Sequence, residues 1–299
     1  MTNPLRPNGV LQDLRASGVD IYDNSMIASF ITCPRMFRYR HQKGLIPKHR
    51  EPSIPLHFGL SVHLALQIWQ STGKDDQQAM QAFVESFTPF EEPSTFSPKT
   101  NKELAATYTV LYGCTVLDEY FRRYRNDVRE VIALETPLAE EVGDGMFIAG
   151  RVDKIVHGQG LVFADYKTSK YLTGVLINPN PQFMTYKFLS EKLTGKPVSG
   201  ELDMIGVSKT KPVDELLRRE PFNYTDYQME AWRRSLLGWM RRIKLCVQTD
   251  EWEQSWRCQP FFRDCDYMPL CTLPEPNMED RLIETMYDTD YWDPFKETD

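Results

Sequence analysis

Two hydrophobic rhythms alternate along the chain. Apolar residues recur every three or four positions from Met26 to Ile31, and again at Leu60, Leu64 and Ile68, which predicts amphipathic helices. The same spacing predicts helices over 74–87, over 99–128 (Leu104, Tyr108, Leu111, Val116, Tyr120, Tyr124), from Gln182 onward, and over 225–248 (Trp232, Leu236, Leu237, Trp239, Ile243). Ser25 stands where the first helix would take its N-cap. Between these helices lie short runs rich in β-branched and aromatic residues: Val131 to Leu138, Val152 to Val156, Leu161 to Phe163 and Leu202 to Val207. Gly158-Gln159-Gly160 separates the second and third runs, so these two read as a β-hairpin. The three prolines between Thr88 and Thr100 predict a loop, and residues 1–24 read as a loose arm. Strands interleaved with helices make this an α/β chain built on a central sheet.

The hairpin carries polar residues where a buried strand should be apolar. Asp153 lies on its first strand, and Asp165 and Lys167 on its second. Two residues apart in a strand, Asp165 and Lys167 point to one face, and Asp153 is placed to converge on them. Solvent-side strand residues would give the same pattern. A divalent cation would also use it, since Mg²⁺ and Mn²⁺ prefer carboxylate, carbonyl and water oxygens. Glu135, at the end of the first run, could lie near such a cation, but the simpler reading is an ordinary strand-end residue.

Bulk properties narrow the setting. Charged residues make up 26% and hydrophobic residues 41%, as in ordinary globular proteins. The polar N-terminus lacks the apolar core of a signal peptide, and no run approaches the length of a membrane helix, so the expected location is the cytoplasm, without membrane attachment. A net charge of −7 argues against a protein that coats nucleic acid, but leaves room for a local basic patch. Such a patch runs from Arg35 through Arg38, Arg40, Lys43 and Lys48 to Arg50 with no acid among them. Phe37 and Tyr39 interleave, a composition suited to gripping phosphates and stacking bases, or to facing water. Six cysteines in an intracellular chain fit metal ligation or core packing better than disulfides. Cys114 and Cys246 sit in helices and read as core. Cys258, Cys265 and Cys271 fall in a short non-helical stretch that suggests thiolate ligation, one ligand short of a tetrahedral set.

Gly150-Arg151-Val152-Asp153 followed by Asp165-Tyr166-Lys167-Thr168 resembles the PD-(D/E)XK nuclease superfamily in its RecB-like branch. Three further stretches resemble the same branch: Ser25 to Tyr39 with Cys33-Pro34-Arg35, Gly59-x-x-x-His63, and Gln182-x-x-x-Tyr186. The resemblance implies a restriction-endonuclease-like core, a mixed central sheet flanked by helices. A helical insertion over about 70–128 and an iron–sulfur lobe built from 25–50 and 250–271 would complete one nuclease domain, 25–271, followed by an acidic tail, 272–299.

It implies that His63, Asp153, Asp165 and the Tyr166 carbonyl hold Mg²⁺ or Mn²⁺, and that Asp153, Asp165 and Lys167 are catalytic. Gln182, Tyr186, Arg35 and Arg38 would contact substrate. It supplies Cys33 as the fourth partner of Cys258, Cys265 and Cys271 around a four-iron, four-sulfur cluster, with Zn²⁺ the alternative at four thiolates. The activity implied is a metal-dependent DNA exonuclease acting on single strands or duplex ends. Two other readings stay open. One is a DNA-binding subunit of a recombination, repair or CRISPR-adaptation complex whose nuclease is latent or partner-dependent. The other is a zinc-stapled protein without catalysis.

Overall fold

A computed structural model of the protein describes residues 19–49, 52–93, 95–96, 103–104, 106–170, 175–259 and 264–293. In chain order its elements begin with β1 (Asp20–Asp23), α1 (Asn24–Thr32), α2 (Pro34–Phe37), β2 (Leu45–Pro47), α3 (Ile54–Ser71) and α4 (Asp76–Phe87). The two-residue strands β3 (Thr95–Phe96) and β4 (Glu103–Leu104) precede α5 (Val110–Tyr124), β5 (Glu130–Gly143), β6 (Met146–His157) and β7 (Leu161–Ser169). The chain continues as α6 (Pro181–Thr194), β8 (Val198–Gly206), β9 (Leu217–Phe222), α7 (Asp226–Thr249), α8 (Met268–Cys271), α9 (Glu279–Met286) and β10 (Tyr287–Thr289). These elements form two compact units, one from residues 1–51, 137–151 and 225–299, the other from 52–136 and 152–224. No helix among the described residues is long and apolar enough to cross a membrane.

In the first unit, β1 runs parallel to the start of β6, pairing Asp20 with Met146 through Asp23 with Ala149. The loose arm expected to reach residue 24 therefore gives way to a strand at Asp20; residues 1–18 lie outside the described set. The cap of α1 is Asp23 rather than Ser25. Asp23 Oδ1 accepts the Met26 N–H at 2.8 Å and the Ser25 hydroxyl at 2.6 Å, so Ser25 supports the cap from inside the first turn. A small aromatic core of Tyr39, Leu45, Tyr267, Leu270 and Tyr287 joins segments from both ends of the chain. The stretch expected as an acidic tail contributes to it. β10 pairs antiparallel with β2, and Tyr287 is 4% exposed, because Leu282, Ile283 and Tyr287 give the segment an apolar side. Several basic residues of α7 meet acids of the same unit: Arg241 with Asp144, Arg233 with Glu230, and Lys244 with Asp20 at 2.7 Å.

In the second unit the predicted hairpin forms. β6 and β7 pair antiparallel from His157 with Leu161 to Lys154 with Ala164, and Gly158 N–H donates to the Gly160 carbonyl at 3.1 Å across the turn. β7 then crosses over through α6 to β8, which lies parallel to it, and β9 closes the edge antiparallel to β8. The sheet is mixed, and β8, buried almost throughout, lies between β7 and the edge strand β9. α3, α4 and α5 pack with Tyr166, Ile205 and Leu217. α6 brings Phe183 against Phe222 and Tyr186 against Phe163.

The helix expected over 99–128 is shorter than its apolar stripe. α5 starts at Val110 because Thr109 caps it, its hydroxyl accepting the Tyr112 N–H. Upstream, the Glu91 and Glu92 carboxylates take the N–H groups of Val110, Thr107 and Tyr108, which offers those donors partners outside a helix.

Beneath the hairpin lies a closed charge network. Asp203, fully buried, accepts from Tyr120 at 2.6 Å and from Arg219 at 2.7 Å. Arg219 also meets Asp127 at 2.9 Å, while Arg129 bridges Asp127 and Glu201. Lys154 is buried with its ammonium 5.2 Å from the centre of the Tyr166 ring, and burial lowers its pKa to about 8. Three acids and three bases balance. Breaking a buried pair by removing one partner costs about 3–5 kcal/mol, so Arg219→Met is expected to lower the urea-unfolding free energy by that amount. A loss below about 1 kcal/mol, the range of a surface pair, would show that water already reaches Asp203.

Candidate active site

β7 alternates, so Phe163, Asp165 and Lys167 share one sheet face while Ala164, Tyr166 and Thr168 share the other. Extending the β6–β7 register by one step sets Asp153 opposite Asp165 on the first of these faces. The backbone ladder ends there. The next donor on β7, Tyr166 N–H, is taken by Asp153 Oδ2 at 2.8 Å instead of by a backbone carbonyl. A side chain thus replaces a rung of the ladder, which fixes the carboxylate firmly.

Asp153 and Asp165 are 7% and 1% exposed. Burial dominates their titration and pushes both carboxyls well above the usual range, Asp165 to about 6, although Lys167 pulls in the other direction. Lys167 donates to Asp165 Oδ1 at 3.0 Å. Its ammonium also lies 2.9 Å from Oδ2, but not in hydrogen-bond geometry, so Oδ2 is a buried carboxylate oxygen without a hydrogen bond.

His63 comes from α3. Its Nδ1 lies 3.5 Å from Asp153 Oδ2, and its ring is within hydrogen-bonding reach of the Tyr166 backbone. The side chain is 27% exposed, yet the protein surrounds it closely enough that burial lowers its pKa to about 4. The imidazole is therefore neutral at pH 7, as a metal ligand must be. The glycine one turn earlier explains the approach. A Cβ on Gly59 would sit 2.8 Å from Thr168 Oγ1, so only glycine lets α3 lie this close to β7 just beyond Lys167.

Glu135, read from sequence as a strand-end residue, belongs to this cluster. Single ligand atoms of His63, Glu135 and Asp153 all lie within 4.8 Å of one another. Its backbone has φ of 42°, the left-handed region that costs a non-glycine residue about 1–3 kcal/mol. Nothing in a run of strand-forming residues announces that turn of the backbone, which is why periodicity missed it.

Asp153 and Asp165 bring two carboxylates to the single ammonium of Lys167, and the Glu135 carboxylate lies beside them. Hard carboxylate oxygens, a neutral imidazole and a carboxylate oxygen without a hydrogen bond make a ligand set that fits a divalent cation.

On α6, Gln182 donates to the Tyr186 hydroxyl at 2.9 Å, one helical turn along. Burial, with Asp153, Asp165 and Glu135 nearby, raises the Tyr186 pKa far above its ordinary value, so the phenol stays protonated. His63, Asp153, Asp165, Tyr166, Lys167, Gln182 and Tyr186 thus all fall in the second unit.

The other predicted residues fall in the first unit. Arg35 donates to the Trp252 carbonyl and to Gln254, and Arg38 pairs with Asp250 at 3.0 Å. Cys33 Sγ accepts the Ser255 N–H, and Cys265 N–H donates to the Cys258 carbonyl. Burial raises the thiol pKa values of Cys265 and Cys271. Cys265 feels the charge of Cys33 and Cys271, and Cys271 that of Arg35, Cys33 and Cys258; none of the four forms a disulfide, and His63, Glu135 and Asp153, not these cysteines, are the described group whose ligand atoms all lie within 4.8 Å.

Comparison with known proteins bears on the family and the fold. A family model described as the PD-(D/E)XK nuclease superfamily matches residues 24–272. Among solved structures, a Eubacterium rectale protein named as a candidate exonuclease overlays with a TM-score of 0.50 at 13% identity, covering 93% of this chain and 98% of its own. The structure of SSO0001 overlays with a TM-score of 0.31 at 15% identity, over 76% of this chain and 90% of that one. No curated protein sequence matches. The family model covers the helix of His63, the hairpin of Asp153, Asp165 and Lys167, and the helix of Gln182 and Tyr186: the chain belongs to the PD-(D/E)XK nuclease superfamily.

Proposed function

We propose that the protein is a DNA exonuclease of the RecB-like branch that uses Mg²⁺ or Mn²⁺, acts on single strands or duplex ends, and carries a structural iron–sulfur cluster. The observation that carries the catalytic reading is the cluster of His63, Glu135 and Asp153 beside the unbonded oxygen of Asp165 and the ammonium of Lys167. His63, Glu135, Asp153 and Asp165, with the Tyr166 carbonyl, would hold the cation. When bound, a divalent metal supplies Lewis acidity toward a phosphate oxygen and acidifies water. Lys167 places a second positive charge on the same face, where it offsets charge developing on the phosphoryl oxygens and orients the attacking water. Tyr186, held protonated and bonded to Gln182, offers a neutral donor for positioning the strand. The name of the Eubacterium rectale protein agrees with exonucleolytic action.

Four thiols from distant parts of the chain, within electrostatic reach of one another, would suit a soft-metal centre. Cys33, Cys258, Cys265 and Cys271 would hold a four-iron, four-sulfur cluster that ties the two ends of the chain together. Anaerobically purified protein is expected to be brown and to contain iron rather than zinc. Cys271→Ala should bleach it and lower its Tm. A colourless protein with stoichiometric zinc overturns the iron assignment.

The catalytic reading predicts metal-dependent release of label from 5′- or 3′-labelled DNA. Lys167→Ala and Asp165→Ala should each reduce turnover about a hundred- to a thousandfold, the loss typical of one preorganised electrostatic group. Wild-type activity in either folded variant would sink the assignment.

The buried carboxyls also predict a pH signature. Asp165 titrates near 6 in the metal-free fold but near its ordinary value, about 3.9, when unfolded. The folded state therefore holds protons more tightly, and stability from this group is lost as pH rises through about 6. Metal must displace those protons. Mn²⁺ at a hundred times its Kd should stabilise the protein by about 2.7 kcal/mol at pH 7.5, and by much less at pH 5. Glu135→Gln should shrink the effect at pH 7.5. A Tm shift equal at both pH values, or unchanged in Glu135→Gln, contradicts this ligand set.

A further inference from the structure

The chain's net charge of −7 has a single source. Residues 272–299 contain nine acids and two bases, so residues 1–271 hold equal numbers of each. The basic run from Arg35 to Arg50 carries six bases and no acid, nearly the complement of that tail.

In the first unit the two segments lie together. Lys43 Nζ meets Glu279 Oε1 at 2.7 Å. Lys48 Nζ donates to the Glu284 carbonyl at 2.6 Å, and Arg40 Nη1 to the Asp290 carbonyl at 2.7 Å. The Arg40 guanidinium also lies 5.5 Å from the centre of the Trp292 ring. Antiparallel pairing of β10 with β2 and the Asp290 N–H bond to the Gly44 carbonyl hold the acidic segment along the basic one. A helix and short strand rich in carboxylates, with an aromatic ring beside an arginine, offer these cations the same pairing of anionic oxygens and a π face that single-stranded nucleic acid offers.

We propose that residues 279–293 form an acidic strap that competes with the nucleic-acid backbone for Arg40, Lys43 and Lys48. The inference rests on nucleic acid being the substrate. The surface it covers is a polyanion site, and the strap sets its affinity. With the strap in place these bases are partly neutralised and weakly bound polyanions are excluded. A strand that binds tightly takes over the cations while Tyr287 keeps the strap anchored to its aromatic core.

The test measures binding of a labelled single-stranded oligonucleotide by anisotropy, in EDTA so that nothing is cleaved, between 50 and 200 mM NaCl. The strap variant combines Glu279→Gln, Glu284→Gln, Asp288→Asn and Asp290→Asn. A control variant removes four acids elsewhere: Glu85→Gln, Asp118→Asn, Asp214→Asn and Glu215→Gln. An unchanged Tm verifies that each is folded. The strap variant is expected to bind about tenfold more tightly than wild type, with a salt slope steeper by about 1, for Lys43, whose partner Glu279 loses its charge. The control variant should change much less. Equal gains in both variants would reduce the effect to net charge and overturn the strap, as would no gain, or no binding by any of the three proteins. Wild-type cleavage measured separately distinguishes the failures. Cleavage without a strap effect removes only the strap, and a strap effect without cleavage removes only the catalytic reading.

Discussion

Desolvated carboxylates are the constraint from which the second unit's design follows. Asp153 and Asp165 sit on a buried sheet face, where an ionised group without compensation is expensive. Lys167 and the Tyr166 N–H compensate part of that charge and leave a remainder. The same two strands carry polar groups on their other face too, where Lys154 and Tyr166 meet Asp203, Arg219 and their partners. There the charges sum to zero and nearly every group has a neighbour within the protein. On one face three acids meet three bases; on the other, Asp153 and Asp165 share the single ammonium of Lys167. That contrast, more than the presence of acids, separates a catalytic face from a buried salt-bridge network.

Much of this was legible in the chain itself. Asp165-Tyr166-Lys167 declares its geometry because strand periodicity is two, and the Gly158-Gln159-Gly160 turn brings Asp153 opposite. Gly59 and His63 were legible as a pair, but the reason for the glycine, the Thr168 hydroxyl against α3, is a tertiary distance that no local pattern encodes. Glu135 was missed because its position depends on a left-handed backbone inside a strand, and strand propensity gives no sign of one. The early end of the α5 stripe has a similar origin: two glutamates far back in the chain supply partners for N–H groups that a longer helix would have used. The helix cap moved from Ser25 to Asp23 because both residues can cap, and only the observed bond decides between them.

The acidic segment at 272–299 shows the limit of composition as a guide. Its charge reads as a solvated tail, yet three apolar residues, Leu282, Ile283 and Tyr287, suffice to seat it. Tyr287 stacks with Tyr267 and donates to the Asp266 carbonyl, so the segment braces the turn after Cys265 that leads into α8 and Cys271. A few buried contacts therefore position a surplus of negative charge against the basic run that precedes it.

Both units meet a charge problem by placing a replaceable counter-charge. In the second unit carboxylates outnumber the ammonium of Lys167 on one face, and their oxygens have the ligand preference of a divalent ion. In the first unit the bases of one segment are met by another that is rich in acids, through a carboxylate at Lys43 and carbonyl oxygens at Arg40 and Lys48, held by main-chain pairing and a buried tyrosine. Ions and polyanions exchange readily against partners of this kind, because what is replaced is a charge already balanced, and no bare charge is left buried in the exchange. For an enzyme that must take up a metal and a strand and then release products, interactions that can be substituted serve better than interactions that are simply strong.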